Sequence, residues 1–200
     1  MVHREHTMEM RQLLIDAATK RLWSTDESEL RIADICADTE LSSSVIYTNF
    51  RSRQGLIDAA FLDMYANLAG NYRVLLRRYV EPATSASSLI ETLSEVQTSG
   101  EVNGALAENR KIRLRIATAS LARADLRREW IKIQEDHLTL FAEIIEDLQH
   151  RGVLGTKLTG RQVAVLLEGF SFGRALDDIS LNPESDAAWL KVLFMILEAL

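Results

Sequence analysis

Proline is the residue that a helix interior tolerates least, and in these 200 residues it occurs only at Pro82 and Pro183. Elsewhere apolar residues recur three and four positions apart, the spacing of a helix with one buried face. Leu126, Trp130, Ile133, His137, Leu140, Ile144 and Leu148 form one such stripe over Ala124–Gln149. No segment keeps the period-two alternation of a strand, and no repeat or low-complexity stretch interrupts the pattern. The expected fold is all-α, with about nine helices.

Local signals divide the chain. A first helix is expected from about Met8 to Trp23, after a mobile arm over residues 1–8. From there Arg4, or Arg11 just beyond, could reach a phosphate or a minor groove. The polar run Ser24-Thr25-Asp26-Glu27-Ser28 leads to a short amphipathic helix, Ile32 to Asp38, with Ile32, Ile35 and Cys36 inward. A second short helix puts Ile46 and Phe50 on one face, and Ser42 stands where its hydroxyl can cap the first free N–H groups. A long helix then runs from about Ser52, a candidate cap, to about Tyr79, where Glu81-Pro82 ends it. Beyond it, Ser87–Ser99 reads as a helix stopped by Gly100, and Val102-Asn103-Gly104 as a loop. Further helices are expected over Leu106–Arg123, over Ala124–Gln149 closed by Arg151-Gly152, and from a Thr159 cap to about Ile179. Asn182-Pro183 breaks the last of these, and Ser185 or Asp186 caps a final helix to Leu200.

The run from Leu41 to Leu56 carries the chemistry. Two short helices joined by Thr39-Glu40-Leu41 make a helix-turn-helix, whose second helix can enter a major groove. Its outward positions hold Ser43, Ser44, Tyr47, Thr48 and Asn49, uncharged donors and acceptors suited to base edges and phosphates. Arg51 and Arg53 follow, and no acid lies between Leu41 and Ile57. That local charge matters because the chain totals −6 and residues 1–55 hold seven Lys/Arg against nine Asp/Glu. Binding to DNA would depend on where charge sits and not on its sum. The expected DNA contacts are Arg31, Ser42, Ser43, Ser44, Val45, Tyr47, Thr48, Asn49 and Arg53.

Ile35-Cys36, Leu41-Ser42, Ile46-Tyr47, Phe50, Ser52-Arg53 and Leu56, with Leu14, Ala17 and Ala18 upstream, resemble the signature of the tetracycline-repressor (TetR) family. The match spans residues 14 to 56. It departs from the family pattern at Glu40, where a turn glycine is usual, at Asn49 for a histidine, at Arg53 for a lysine, and at Arg21 for an apolar residue. Glu40 must either avoid positive φ or carry a strain of roughly 1 kcal/mol. The resemblance implies an N-terminal three-helix DNA-binding domain, residues 1–52, and a C-terminal effector-binding and dimerisation domain, residues 53–200. It implies a homodimeric repressor on a palindromic operator in double-stranded DNA, released by a small-molecule effector that moves the long linking helix.

The C-terminal helices agree with pairing to a second copy. Val192, Leu193, Phe194, Ile196 and Leu197 make the last helix apolar nearly all round, and such a surface must be buried somewhere. Leu166, Gly169, Gly173, Leu193, Ile196 and Leu197 are the expected dimer interface; the two glycines, four apart, would permit close helix approach.

Other chemistry is sparse. The four histidines form no zinc-spaced cluster with the single Cys36, and no Gly-rich phosphate loop or GxSxG occurs, so neither a cofactor nor an enzyme is expected. Asp177-Asp178 and Glu146-Asp147 read as solvated carboxylates. No apolar run approaches the ~18 residues of a membrane span, and the N-terminus lacks a signal-peptide core, which points to a cytoplasmic protein. His137 lies in an apolar stripe, either as a core histidine bonded to a backbone carbonyl or as the polar group of an effector pocket. Met64, Leu68, Tyr72, Trp130, His137, Phe141 and Phe170 are the expected pocket residues, with Arg113, Arg115 or Arg174 available to an anionic effector or to surface ion pairs. The competing reading is a helical small-molecule or protein-binding module that has lost DNA binding, suggested by Glu40 and the acidic N-terminal balance.

Overall fold

The structure, a computed structural model, describes the backbone of residues 2–98 and 100–199 and the side chains of 7–96, 106–197 and 199. Among these residues there are nine α-helices and no strand. The chain divides into two compact units, residues 1–67 with 119–130, and residues 68–118 with 131–200.

The first unit contains α1 (Val2–Leu22), α2 (Ile32–Thr39), α3 (Ser43–Phe50) and the first part of α4 (Arg53–Leu75). It also takes in the end of α6 (Gly100–Ala122) and the start of α7 (Ala124–His150). The helix α1 begins at Val2, so the expected arm is helical backbone; the side chain of Arg4 lies outside the described residues. Leu14, Ala18, Leu22, Ile35, Ile46, Leu56, Ile57 and Phe61 are fully buried in this unit's core. Each large apolar side chain so buried contributes roughly 1.5–3 kcal/mol. Arg21, the departure on α1, forms a two-point ion pair with Asp38 (2.6 and 2.8 Å) and so ties α1 to α2.

Two backbone positions fix the short helices. Glu40 does adopt the left-handed conformation (φ 57°, ψ 19°), so the turn between α2 and α3 forms and carries the side-chain strain. Ser42 precedes α3, but its hydroxyl pairs with the Ser44 hydroxyl (2.7 Å) and makes no cap bond, contrary to expectation. Ser52 is a true cap: its Oγ accepts from the Gly55 N–H at 3.0 Å. Gly55 itself is required, because a Cβ there would lie 2.1 Å from the Phe50 carbonyl oxygen.

The second unit holds the rest of α4, a π-helical segment Leu76–Val80, α5 (Ala86–Thr98), most of α6 and α7, α8 (Gly160–Asp177) and α9 (Asp186–Ala199). The linking helix therefore loses its α-helical form at Leu75, short of the expected Tyr79. The loop expected at 102–104 is helical backbone within α6; glycine weakens a helix by only about 1 kcal/mol, which other interactions can offset. Gly152 closes α7 at φ 72°, with the Val153 N–H bonded to the Leu148 carbonyl (2.9 Å). Thr159 and Gln162 form a reciprocal capping box at the start of α8, and Ser185 Oγ accepts from the Ala188 N–H to start α9. Leu89, Ile144, Ile145, Leu148, Val153, Leu154, Val163 and Leu197 form the core, with Leu193 and Phe194 packed against it. No described helix is long and apolar enough to cross a membrane.

Candidate nucleic-acid interface and ligand cavity

On α3 the buried face is Ile46 and Phe50, which leaves Ser42, Ser43, Ser44, Tyr47 and Thr48 exposed and Val45 and Asn49 half-buried. Tyr47 is 50% exposed, too open for a packing role. The Thr48 hydroxyl donates to the Ser44 carbonyl (2.8 Å) and the Asn49 amide to the Val45 carbonyl (2.9 Å), bonds that hold both side chains along the helix. Each keeps acceptor capacity for a ligand. Arg31 is exposed just before α2.

Arg53 behaves differently. Its guanidinium is inserted toward the loop before α2, donating to the carbonyls of Leu30 (2.6 Å) and Glu27. It braces that loop, and removing it should cost fold as well as binding, whereas sequence reasoning attributed to it a phosphate contact alone. Arg51 is the cation that reasoning left out of the contact set. It is exposed, sits at φ 65° directly after α3, and its N–H closes the helix on the Tyr47 carbonyl (2.9 Å). Its place in the acid-free run 41–57 was the available signal. Elsewhere in this unit Arg11 lies over the Phe50 ring (5.1 Å).

Arg123, between α6 and α7, bonds both Glu27 and Asp58 (2.8 Å to the latter) inside the first unit. A depression of about 640 Å³ in this unit includes Arg11, Arg51, Asp58, Asp63, Asp125 and Glu129. Its carboxylates outnumber its cations, the wrong balance for phosphate. Trp130 packs edge-to-face on Tyr65 (5.8 Å) and Met64 is buried in the same unit.

The second unit buries a polar triad drawn from three helices. Arg113 (α6), His137 (α7) and Glu168 (α8) are 5%, 7% and 8% exposed. One Glu168 oxygen accepts from Arg113 and the other lies 3.0 Å from His137 Nε2. Burial works to raise the Glu168 carboxyl, but the His137 hydrogen bond and the Arg113 charge outweigh it and hold the group below the usual carboxylate range. His137 is thus a core histidine, but its partner is a carboxylate and not a backbone carbonyl. Its Nδ1 is buried without a hydrogen-bond partner. Arg113 also donates to Ser171 Oγ (3.1 Å) and lies over the Tyr72 and Phe172 rings (5.4 and 5.1 Å), so it is no surface charge.

Beside the triad is a cavity of about 220 Å³ walled by Tyr72, Leu106, Leu167, Phe170, Trp189 and Leu193, with Arg110, Ser171, Arg174 and Asp186 as its polar groups. Of the expected pocket residues, Tyr72 and Phe170 line it. His137 and Phe141 stand behind Tyr72, the imidazole 6.0 Å from one ring and 6.3 Å from the other. Leu68 is buried, and Met64 and Trp130 belong to the first unit. Asp177 and Asp178 are not solvated carboxylates. Asp178 pairs with Arg110 and Arg174, and Asp177 accepts from the Trp189 indole N–H (2.8 Å), a bond that holds its carboxyl below the usual range. Among the described residues no group of three or more His, Cys, Asp or Glu side chains is placed to hold a metal ion.

Of the expected interface residues, Leu197 is buried in the core and Leu193 and Ile196 are half-buried, so the tail helix spends much of its apolar surface within the chain. Leu166 (42% exposed) and Gly169 are on the surface, and Gly173 packs against Trp189. Val165, Leu176 and Ile179 on or just beyond α8, and Val192 and Met195 on α9, are exposed as well.

No protein-family model matches the chain, and no curated protein matches it. Solved structures do. A TetR-family transcriptional regulator from Mesorhizobium loti is 18% identical with a TM-score of 0.70, covering 96% of this chain and 95% of that one. One from Rhodococcus is 20% identical, TM-score 0.64, covering 95% and 99%. A transcriptional regulator from Saccharomonospora viridis, solved in complex with choline, is 17% identical, TM-score 0.65, covering 96% and 95%. The chain has, over nearly its whole length, the fold of the TetR-family transcriptional regulators.

Proposed function

We propose that the protein is a sequence-specific DNA-binding transcriptional regulator, a cytoplasmic homodimer that represses from a palindromic operator and is released by a small-molecule effector. The observation that carries this reading is the surface of α3. Its exposed side chains are hydroxyls and a phenol, followed at once by the exposed Arg51, in a run without a carboxylate from residue 41 to 57. That is the composition of a major-groove reader in a chain otherwise acidic. Residues 1–52 would do the reading, with Ser42, Ser43, Ser44, Val45, Tyr47, Thr48 and Asn49 facing the groove. Residues 53–200 would supply the dimer and effector site.

The exposed apolar side chains of α8 and α9 support a two-fold partner, since apolar patches of this kind mark interaction surfaces. Two recognition helices would then meet successive grooves roughly 34–36 Å apart. The cavity bounded by Tyr72, Phe170 and Trp189 supports an effector site. An effector that favours the DNA-free form lowers operator affinity by the same factor that DNA lowers its own.

Selection of bound fragments from a random duplex pool at near-physiological salt, followed by sequencing, tests the reading. Recovery of one palindromic motif is expected. Recovery of nothing above background would refute it and favour a binding module without DNA function.

A further inference from the structure

Each ion on the wall of the second unit's cavity already has its counter-ion. Arg110 is gripped at two points by Asp178 (2.8 and 3.3 Å). Arg174 bonds Asp177, Asp178 and Asp186 (3.2, 3.2 and 2.6 Å). Asp186, the carboxylate on the wall, also stands in the first turn of α9, whose N-terminus favours its charge. Behind the wall Arg113 is paired with Glu168. Both guanidinium side chains of the wall are only 11% exposed, where parting a charge from its partner is costly. A ligand ion of either sign would have to break one of these pairs or sit without a partner of its own. A neutral ligand does neither.

Ser171 on the same wall keeps capacity for a ligand. Its Oγ accepts from the Arg113 guanidinium (3.1 Å), so its own proton is turned away from that bond and meets no acceptor among the described residues. A hydroxyl that accepts from a cation is polarised by it and is the stronger donor. The Trp189 indole N–H, by contrast, is spent on Asp177 (2.8 Å). The rest of the wall suits a flat apolar body. Phe170 and Trp189 stand edge-to-face with centroids 4.9 Å apart, and Tyr72 adds a third ring, surfaces on which another ring packs. Leu106, Leu167 and Leu193 offer an apolar bed. A cavity of about 150 Å³ accommodates benzene, so one of about 220 Å³ admits a single ring with a short side chain.

We propose that this cavity takes an uncharged, flat ligand about one aromatic ring in size, whose acceptor oxygen receives a hydrogen bond from the Ser171 hydroxyl. An aryl ketone, ester or ether has that chemistry: a ring for the aromatic wall, an oxygen for the one hydroxyl, and no charge to match. The proposal rests on reading the cavity as the effector site and gives the effector its class. It replaces the anionic effector that Arg113 and Arg174 suggested from sequence, since both are already paired with carboxylates.

The test is calorimetric titration of the full chain at neutral pH with acetophenone, ethylbenzene, benzoate and benzylammonium, four probes built on the same ring. Acetophenone should bind at least roughly tenfold tighter than either ion, because each ion gives up water and finds no unmatched partner. Ser171→Ala should weaken acetophenone about three- to tenfold, the net worth of one hydrogen bond, and leave ethylbenzene, which has no acceptor, unchanged. The unchanged ethylbenzene shows that the cavity is intact although Arg113 has lost the Ser171 acceptor. Ser171→Cys, whose thiol is a weak donor, serves the same purpose if the alanine variant does not fold. Either ion binding as tightly as acetophenone, equal weakening of both neutral probes in a folded variant, acetophenone unaffected by the substitution, or no binding of either neutral probe would each overturn the proposal. The titrations contain no DNA. Selective binding of acetophenone with no duplex recovered by selection would therefore sink the regulatory reading and leave this one standing.

Discussion

Replacing Glu168 with alanine should be among the most damaging single changes in the second unit. The carboxylate bonds both Arg113 and His137, and all three side chains are at least nine-tenths buried. Removing one member of a buried pair leaves an unmatched charge and costs about 3–5 kcal/mol. Arg113 would keep Ser171 and its two aromatic neighbours, so the lower end of that range, about 3 kcal/mol, is expected. Glu168→Gln should cost less, because the amide oxygen can still accept from Arg113. The double variant Arg113→Met/Glu168→Leu should cost less than Glu168→Ala, since well-packed apolar pairs often replace buried ions without loss. The sign of the pH dependence follows from the lowered Glu168 carboxyl. Its stabilisation is present above the unfolded value and is lost as pH falls through the folded one, so the gap between wild type and Glu168→Gln should close in acid. Urea denaturation followed by circular dichroism, at pH 7 and in steps down to pH 3, measures both quantities. A cost under about 1 kcal/mol for Glu168→Ala, or a gap that stays constant with pH, would refute the account of a buried charge pair.

Glu40→Gly should stabilise the protein by about 0.5–1 kcal/mol, the relief of left-handed strain less the added chain entropy of glycine; a lower urea midpoint would contradict it. Gly55→Ala should destabilise by about 1–3 kcal/mol, because its methyl collides with the Phe50 carbonyl, and a variant as stable as wild type would show that the α3–α4 junction yields freely. Tyr47→Phe should leave the thermal midpoint unchanged while weakening binding to selected duplex about ten- to a hundredfold, the worth of one hydrogen bond to a charged phosphate. Arg53→Ala should lower both, because its guanidinium holds the Glu27 and Leu30 carbonyls; loss of binding alone would return Arg53 to a pure phosphate role.

The helices, most of their caps and the helix-turn-helix could be read directly from the residues, because each depends on side chains no more than three or four positions apart. Thr159 with Gln162, Ser52 with Gly55, and Ile46 with Phe50 are contacts of that kind. So was the acid-free surface of α3, a property of one short run. Long-range pairing left no such trace. Arg53 reaches back to carbonyls 23 and 26 positions away, Arg113 finds Glu168 at a separation of 55, and Arg123 finds Glu27 at 96. Charges carry no periodicity that names their partner, so arginines that could serve an anionic ligand and a histidine that could bond a backbone carbonyl stayed open possibilities. The tertiary structure decided them by burial: once Arg113, His137 and Glu168 leave water together, each must be matched by a neighbour, and only the packing of α6, α7 and α8 determines which neighbours are within reach.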